Sequence, residues 1–155
     1  MKKNIFLIIA AMMLVSASVS AKSYKRGVSE NSFSLAVEMD VLTPGVSWYY
    51  NWSNIPNTGV DNQVLEYEGD FEFVPMAWNA NYNADAIREF VGKHPECKYI
   101  LGYNEPNFTA QANMTPAQAA EKWPELVALA NELDLQIIAP ALNYSPNPPY
   151  QSPTA

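Results

Sequence analysis

Apolar residues recur along the chain in two rhythms, one of period two and one of period near three and a half, and their alternation predicts the order of elements. Arg26 to Ser29 reads as a short strand. Asn31 or Ser32 then caps a helix in which Leu35, Met39 and Leu42 fall four and three apart before Pro44-Gly45 stops it. Val46 to Trp52, rich in β-branched and aromatic residues, predicts a second strand closed by the turn-prone stretch Asn54 to Asn62, and Phe71 to Trp78 a third. Asn83 caps a helix carrying Ile87, Phe90 and Val91, which ends at His94 because the ring of Pro95 disfavours helical geometry in the residue before it. Tyr99 to Tyr103 is the fourth strand. Thr115-Pro116-Ala117-Gln118 joins a capping box to proline at the first helical position, and Ala119, Trp123, Leu126, Ala130 and Leu133 carry one apolar stripe onward. Pro124 lies within that helix and predicts a kink or a later true start. Ile137 to Leu142 is the fifth strand, after which the proline-rich residues 143–155 show no period.

Strands alternating with helices imply an α/β protein with a parallel sheet. A doubly wound sheet wants a glycine-rich turn after its first strand, and none is present. A (β/α)8 TIM barrel collects polar and aromatic residues just past its strand ends, where they cluster here, so the barrel is expected. Such a barrel takes about 250 residues, whereas the pattern supplies five strands. The chain is therefore expected to be an incomplete barrel, the N-terminal part of a longer enzyme.

The first residues follow a different logic. Lys2 and Lys3 form a positive start, Ile5 to Val15 an apolar run, and Val19-Ser20-Ala21 places small residues where a signal peptidase cuts. Residues 1–21 are expected to be a signal peptide cleaved after Ala21. Residues 22–155 would then be secreted or periplasmic, with no membrane attachment after cleavage, since the apolar run is shorter than the roughly twenty residues that span a bilayer. Sixteen acidic residues against nine basic ones argue against a nucleic-acid surface. Cys97 is the single cysteine and His94 the single histidine, which forbids an internal disulfide, a cysteine metal cage and a histidine-rich metal site. Cys97 reads as a buried small apolar residue and His94 as a partner of a helix C-terminus.

The strand ends share a composition: Trp48 to Trp52, Trp78 to Tyr82, Asn104 to Phe108, and Asn143-Tyr144. Sugars present apolar C–H faces that stack on aromatic planes and hydroxyl edges that match amides, so this mixture suits a carbohydrate groove better than a phosphate or metal site. Glu105 follows an apolar strand between Asn104 and Pro106, where a carboxyl beside aromatic neighbours can serve as a general acid. Glycoside hydrolysis needs two carboxylates, and no second one occurs at a strand end. Glu66, Glu68, Asp70 and Glu72 read as a solvated acidic face. Asn51, Asn107, Asn113 and Asn143 each begin an N-glycosylation pattern, but three of these overlap the groove and are read as site residues.

Tyr103 to Asn107 (Tyr-Asn-Glu-Pro-Asn), Ser47 to Trp52, Val74 to Asn79, Gln111 to Pro116 and Pro140 to Tyr144 together resemble glycoside hydrolase family 128, the alkali-sensitive-linkage-like TIM-barrel endo-β-1,3-glucanases of clan A. The resemblance runs from about Lys25 to the last residue. It implies a retaining two-carboxylate mechanism on a β-glucan polysaccharide or oligosaccharide, with Glu105 as acid/base and Asn104 on the 2-hydroxyl of the reacting ring. It further implies that Trp48, Tyr50, Asn51, Trp78, Asn79, Asn107, Asn143 and Tyr144 bind substrate. The nucleophilic glutamate of the family follows strand seven, beyond this sequence, so the chain alone is expected to be inactive. The alternatives are a non-catalytic glycan-binding half-barrel and an inactive fragment. No cofactor and no metal are implied.

Overall fold

The computed structural model describes residues 22–66 and 69–143. The expected signal peptide and Tyr144 lie outside them. Five strands form, β1 (Ser23–Ser29), β2 (Val46–Tyr50), β3 (Glu72–Phe73), β4 (Tyr99–Leu101) and β5 (Gln136–Ile138), with helices α1 (Ala84–Lys93) and α2 (Pro116–Glu132) and a 3₁₀ helix at Ala36–Val41. The fold is α/β.

Every named strand pair is parallel: Val28 faces Tyr49 across β1–β2, Tyr49 faces Phe73 across β2–β3, and Ile100 faces Ile137 across β4–β5. The two sheets meet through a parallel bridge between Met76 and Leu101. There the Leu101 N–H donates to the Pro75 carbonyl and the Ala77 N–H to the Leu101 carbonyl, each at 2.9 Å. The strands therefore lie side by side in chain order, with no reversal of order among the described strands such as a doubly wound sheet requires.

One sheet face carries an aromatic core. Tyr49 stacks on Phe71 at 4.9 Å and meets Phe33 and Phe73 edge-on, and Phe73 in turn meets Phe90 of α1 at 5.3 Å. Such pairs contribute about 0.5–1.5 kcal/mol each beyond the area they bury. Leu126, Leu129 and Ala130 of α2 complete the core beside Ile87, Ile100 and Cys97. Arg88 bridges the two helices, its guanidinium meeting both carboxylate oxygens of Glu132 at 2.8 and 2.9 Å. On the opposite face the Trp48 indole lies flat over Gly27, so close that a Cβ there would fall within about 2.1 Å of ring atoms. Tyr99 and Ile138 on that face are exposed among the described residues.

Local chemistry explains where the elements depart from expectation. The first helix is only a 3₁₀ segment capped at Leu35, because the Glu38 carboxylate accepts the Ser34 and Leu35 N–H groups, while Asn31 and Ser32 lie upstream of it. Met39 is its single buried residue, too little apolar anchorage to hold a longer helix. β2 ends at Tyr50 because Trp52 turns to φ 60. Pro75, with no N–H, reduces β3 to two residues and a bridge. β5 stops at Ile138 ahead of Pro140. α2 begins where its capping box predicts, with Gln118 N–H on Thr115 Oγ1 at 3.2 Å and Thr115 N–H on Gln118 Oε1 at 2.8 Å. It continues through an exposed Pro124 without a later start.

Asn83 caps α1 through the Ala86 N–H, and His94 forms its C-cap with the imidazole stacked on Phe90 at 4.5 Å. Cys97 is buried, and burial pushes its thiol up to about 12. Glu66 and Asp70 are exposed as expected. Glu72 departs from the solvated reading: it is half-buried in β3, accepts the Lys98 N–H at 3.3 Å, and burial raises its carboxyl above 4.5. Among the described residues no helix is long and apolar enough to cross a membrane.

Candidate functional site

An open cavity of about 470 Å³ lies past the C-terminal ends of the strands, lined by Asn31, Trp52, Trp78, Asn104, Glu105 and Gln111. These six residues come from the segments that follow β1, β2, β3 and β4 in turn. In parallel α/β sheets this edge is where ligands are bound, because the loops leaving successive strands converge there.

Each wall is built by identifiable bonds. The Asn104 N–H donates to the Trp78 carbonyl at 2.9 Å, carrying the β3–β4 pairing beyond both strand ends and setting Trp78 beside Asn104. Trp52 at φ 60 turns its indole back toward Tyr50, 5.1 Å away and edge-on. Asn54 then ties this loop to the segment between β3 and α1, donating to the Met76 carbonyl at 2.8 Å and accepting the Asn83 N–H at 3.0 Å. Residues 104–115 knit into successive turns, Phe108 N–H on the Glu105 carbonyl, Ala112 N–H on the Asn104 carbonyl, and Met114 N–H on the Pro106 carbonyl.

Glu105 occupies the left-handed region at φ 40, which costs about 1–2 kcal/mol for a residue with a Cβ. Non-glycine residues in such conformations concentrate at functional sites, where the surrounding structure holds them. The Asn143 side chain, arriving from beyond β5, donates to Glu105 Oε1 at 2.9 Å. Asn104 donates to Gln111 Oε1 at 2.7 Å, so the amide beside the carboxyl is also fixed in orientation.

Of the residues singled out from the sequence, Trp78, Asn104 and Glu105 meet in the cavity, and Asn143 joins them through its bond to Glu105. Asn79 borders an adjoining cavity of about 330 Å³ with Asn81, Asn113 and Gln118. Trp48 and Tyr50 do not border the cavity beside Glu105: Trp48 is laid over Gly27 on the sheet, and Tyr50 packs edge-on to Trp52.

Asn51 and Asn107, expected on the groove wall, are both buried. Asn51 donates to the Ile55 carbonyl and to Asn57 Oδ1 and accepts the Ser53 N–H, so its amide holds the β2 loop together. Asn107 is engaged with the Asn143 backbone. Three lining residues were not chosen from the sequence. Trp52 stood within an aromatic cluster already noted, Gln111 within a quoted motif, and Asn31 carried no signal beyond that of a helix cap.

Glu105 is the single carboxylate bordering this cavity among the described residues. No group of three or more His, Cys, Asp or Glu side chains among them could hold a metal ion. A further cavity, of about 450 Å³, opens at the N-terminal ends of the strands near Lys22, Ser47, Glu72 and Cys97, on the side away from Glu105.

A family model described as a glycosyl hydrolase catalytic core matches residues 27–152. No curated protein matches the chain significantly. Among solved structures, an endo-β-1,3-glucanase of family 128, subgroup II, from Pseudomonas viridiflava superposes with a TM-score of 0.71 and 38% identity over 79% of this chain and 47% of its own. The subgroup II enzyme from Sorangium cellulosum does so with a TM-score of 0.64 and 35% identity over 79% of this chain and 48% of its own. A subgroup I enzyme from Amycolatopsis mediterranei, solved with laminaritriose, gives a TM-score of 0.59 and 32% identity over 79% of this chain and 46% of its own. The chain thus spans about half the length of the solved structures it matches. With the cleft at the strand ends and these likenesses taken together, the chain belongs to glycoside hydrolase family 128.

Proposed function

We propose that this chain is the N-terminal portion of an exported β-1,3-glucanase whose eight-stranded barrel is completed by sequence it does not include. The observation that carries the reading is Glu105, held at φ 40 in a cavity between Trp52, Trp78 and two fixed amides. In this reading the indoles of Trp52 and Trp78 stack on glucosyl faces, and Asn104 holds the 2-hydroxyl of the reacting ring, a contact that strengthens as positive charge develops on the sugar. Glu105 gives its proton to the glycosidic oxygen as the bond breaks. It then takes a proton from the water that releases the covalent intermediate.

That intermediate forms on a second carboxylate about 5–5.5 Å from the first in a retaining enzyme. Because Glu105 has no carboxylate beside it in the cavity among the described residues, the nucleophile is assigned to the remainder of the barrel. The 155-residue chain alone is then inactive. The same observation supports a second reading for the chain by itself, a glycan-binding half-barrel without chemistry.

The test is to incubate the full protein with a soluble linear β-1,3-glucan and follow the anomeric proton of the product by NMR. Release of β-anomer first supports a retaining glucanase. Release of α-anomer overturns the mechanism, and an intact β-1,3-glucan beside a cleaved β-1,4-glucan overturns the substrate.

A further inference from the structure

We propose that Asn107 is a positioning residue for Glu105 and acts through Asn143, an inference that rests on the reading of Glu105 as the acid/base. Asn143 lies beyond the end of β5 at Ile138, where the ladder to β4 no longer holds the backbone. Its position is set from the other side. The Asn107 Oδ1 accepts the Asn143 N–H at 2.9 Å, and the Asn107 Nδ2 donates to the Asn143 carbonyl. One carboxamide thus closes on both backbone groups of a single residue, as a neighbouring strand would, and the orientation of residue 143 follows. The Asn143 side chain is thereby aimed at Glu105, donating to Oε1 at 2.9 Å.

Several features make this an assignment of role and more than a contact. Asn107 is 6% exposed, so its amide is not available to a glycan. It sits in the same turn as Glu105, closed by the Phe108 N–H on the Glu105 carbonyl, so the clamp and the carboxyl share one rigid frame. The geometry also needs this side chain: aspartate offers no donor for the Asn143 carbonyl, and alanine offers neither group. A carboxyl that must reach a glycosidic oxygen within hydrogen-bond distance gains from a fixed rotamer, since a misplacement of about 1 Å can cost on the order of a hundredfold in rate.

The test compares two substrates in the full protein. Cleavage of the polysaccharide requires protonation of a poor leaving group, whereas 2,4-dinitrophenolate leaves a 2,4-dinitrophenyl β-laminaribioside without a proton. A displaced acid therefore depresses only the first reaction in kcat/KM. Asn107→Ala is expected to lower kcat/KM on the polysaccharide by roughly 10- to 100-fold and on the aryl glycoside by less than about threefold. Equal losses on both substrates would overturn the proposal. Asn107→Asp, which keeps the volume and the acceptor but sets a carboxylate oxygen against the Asn143 carbonyl, is expected to show the same split at least as strongly, and it gives a second variant if the alanine variant fails to fold.

Amide exchange keeps the clamp testable apart from activity. In Asn107→Ala the Asn143 N–H should exchange at least about tenfold faster while Ile100 in β4 is unchanged, because only the local bond is lost. An unchanged Asn143 rate overturns the clamp. Failure of the unmutated protein on both substrates overturns the glucanase reading instead.

Discussion

Glu72 shows how a single titrating side chain separates the two faces of the sheet. Its carboxyl is half-buried in β3, and burial raises it above 4.5 against the opposing pull of the Lys98 N–H. The folded protein thus holds a proton that the unfolded chain releases just above pH 4.5, so the stability this group contributes is full below that pH and is lost as pH rises through the folded value. Glu72→Gln, which keeps the acceptor for Lys98 and removes the charge, is expected to raise Tm at pH 7 and to leave it unchanged at pH 4. A Gln variant that melts no higher than the parent at pH 7 would contradict this. Cys97 makes a simpler prediction. At 1% exposure, with its thiol pushed up to about 12, it should resist a thiol reagent at pH 8 in the folded protein and react at once in denaturant. Rapid labelling of the folded protein would mean that the β3–β4 region is open.

At the scale of elements, legibility tracked how local the deciding interaction is. The capping box of α2 lies within four consecutive residues, and its helix starts at the expected position. Asn83 and His94 bound α1 for the same reason. The 3₁₀ helix was overestimated because a three-residue apolar stripe says nothing about whether a partner surface covers it: Met39 is buried, Leu42 packs on the core half-buried, and Leu35 stays exposed. Strand limits were overestimated at β2, β3 and β5, where a left-handed Trp52 and the prolines at 75 and 140 end the pairing, and at β4, which stops at Leu101 and not at Tyr103.

The placement of Glu105, Asn104 and Trp78 at the cavity could be read from residue type at a strand end. The burial of Asn51 and Asn107 could not, since it depends on bonds to partners that only the folded loops bring near. Two substitutions test the elements. Thr115→Ala should cost about 1 kcal/mol by removing the cap of α2, read by denaturant unfolding. Gly27→Ala should cost about 1–3 kcal/mol, because the added methyl meets the Trp48 indole. An alanine at 27 with unchanged stability would show that the indole moves freely off β1.

The whole molecule is a run of parallel strands in chain order, with aromatic and amide side chains gathered at one edge and the opposite sheet face partly open. Its length relative to the structures it matches agrees with the single carboxylate found in the cleft among the described residues: in the proposed mechanism each half of the barrel supplies one of the two catalytic groups. The proposed export makes its own prediction, that the protein recovered from outside the cytoplasm begins at Lys22. A recovered protein that still begins at Met1 would refute cleavage.

The central claim is that Glu105 is the acid/base, and the most direct measurement is β-1,3-glucan hydrolysis and binding by the full protein with and without Glu105→Gln. Loss of roughly a thousandfold or more in turnover on the polysaccharide, with glucan affinity retained, is the result the account predicts, since the amide keeps the shape and the bond from Asn143 but cannot transfer the proton. Turnover within a few fold of the unmutated protein would place the acid elsewhere and contradict it.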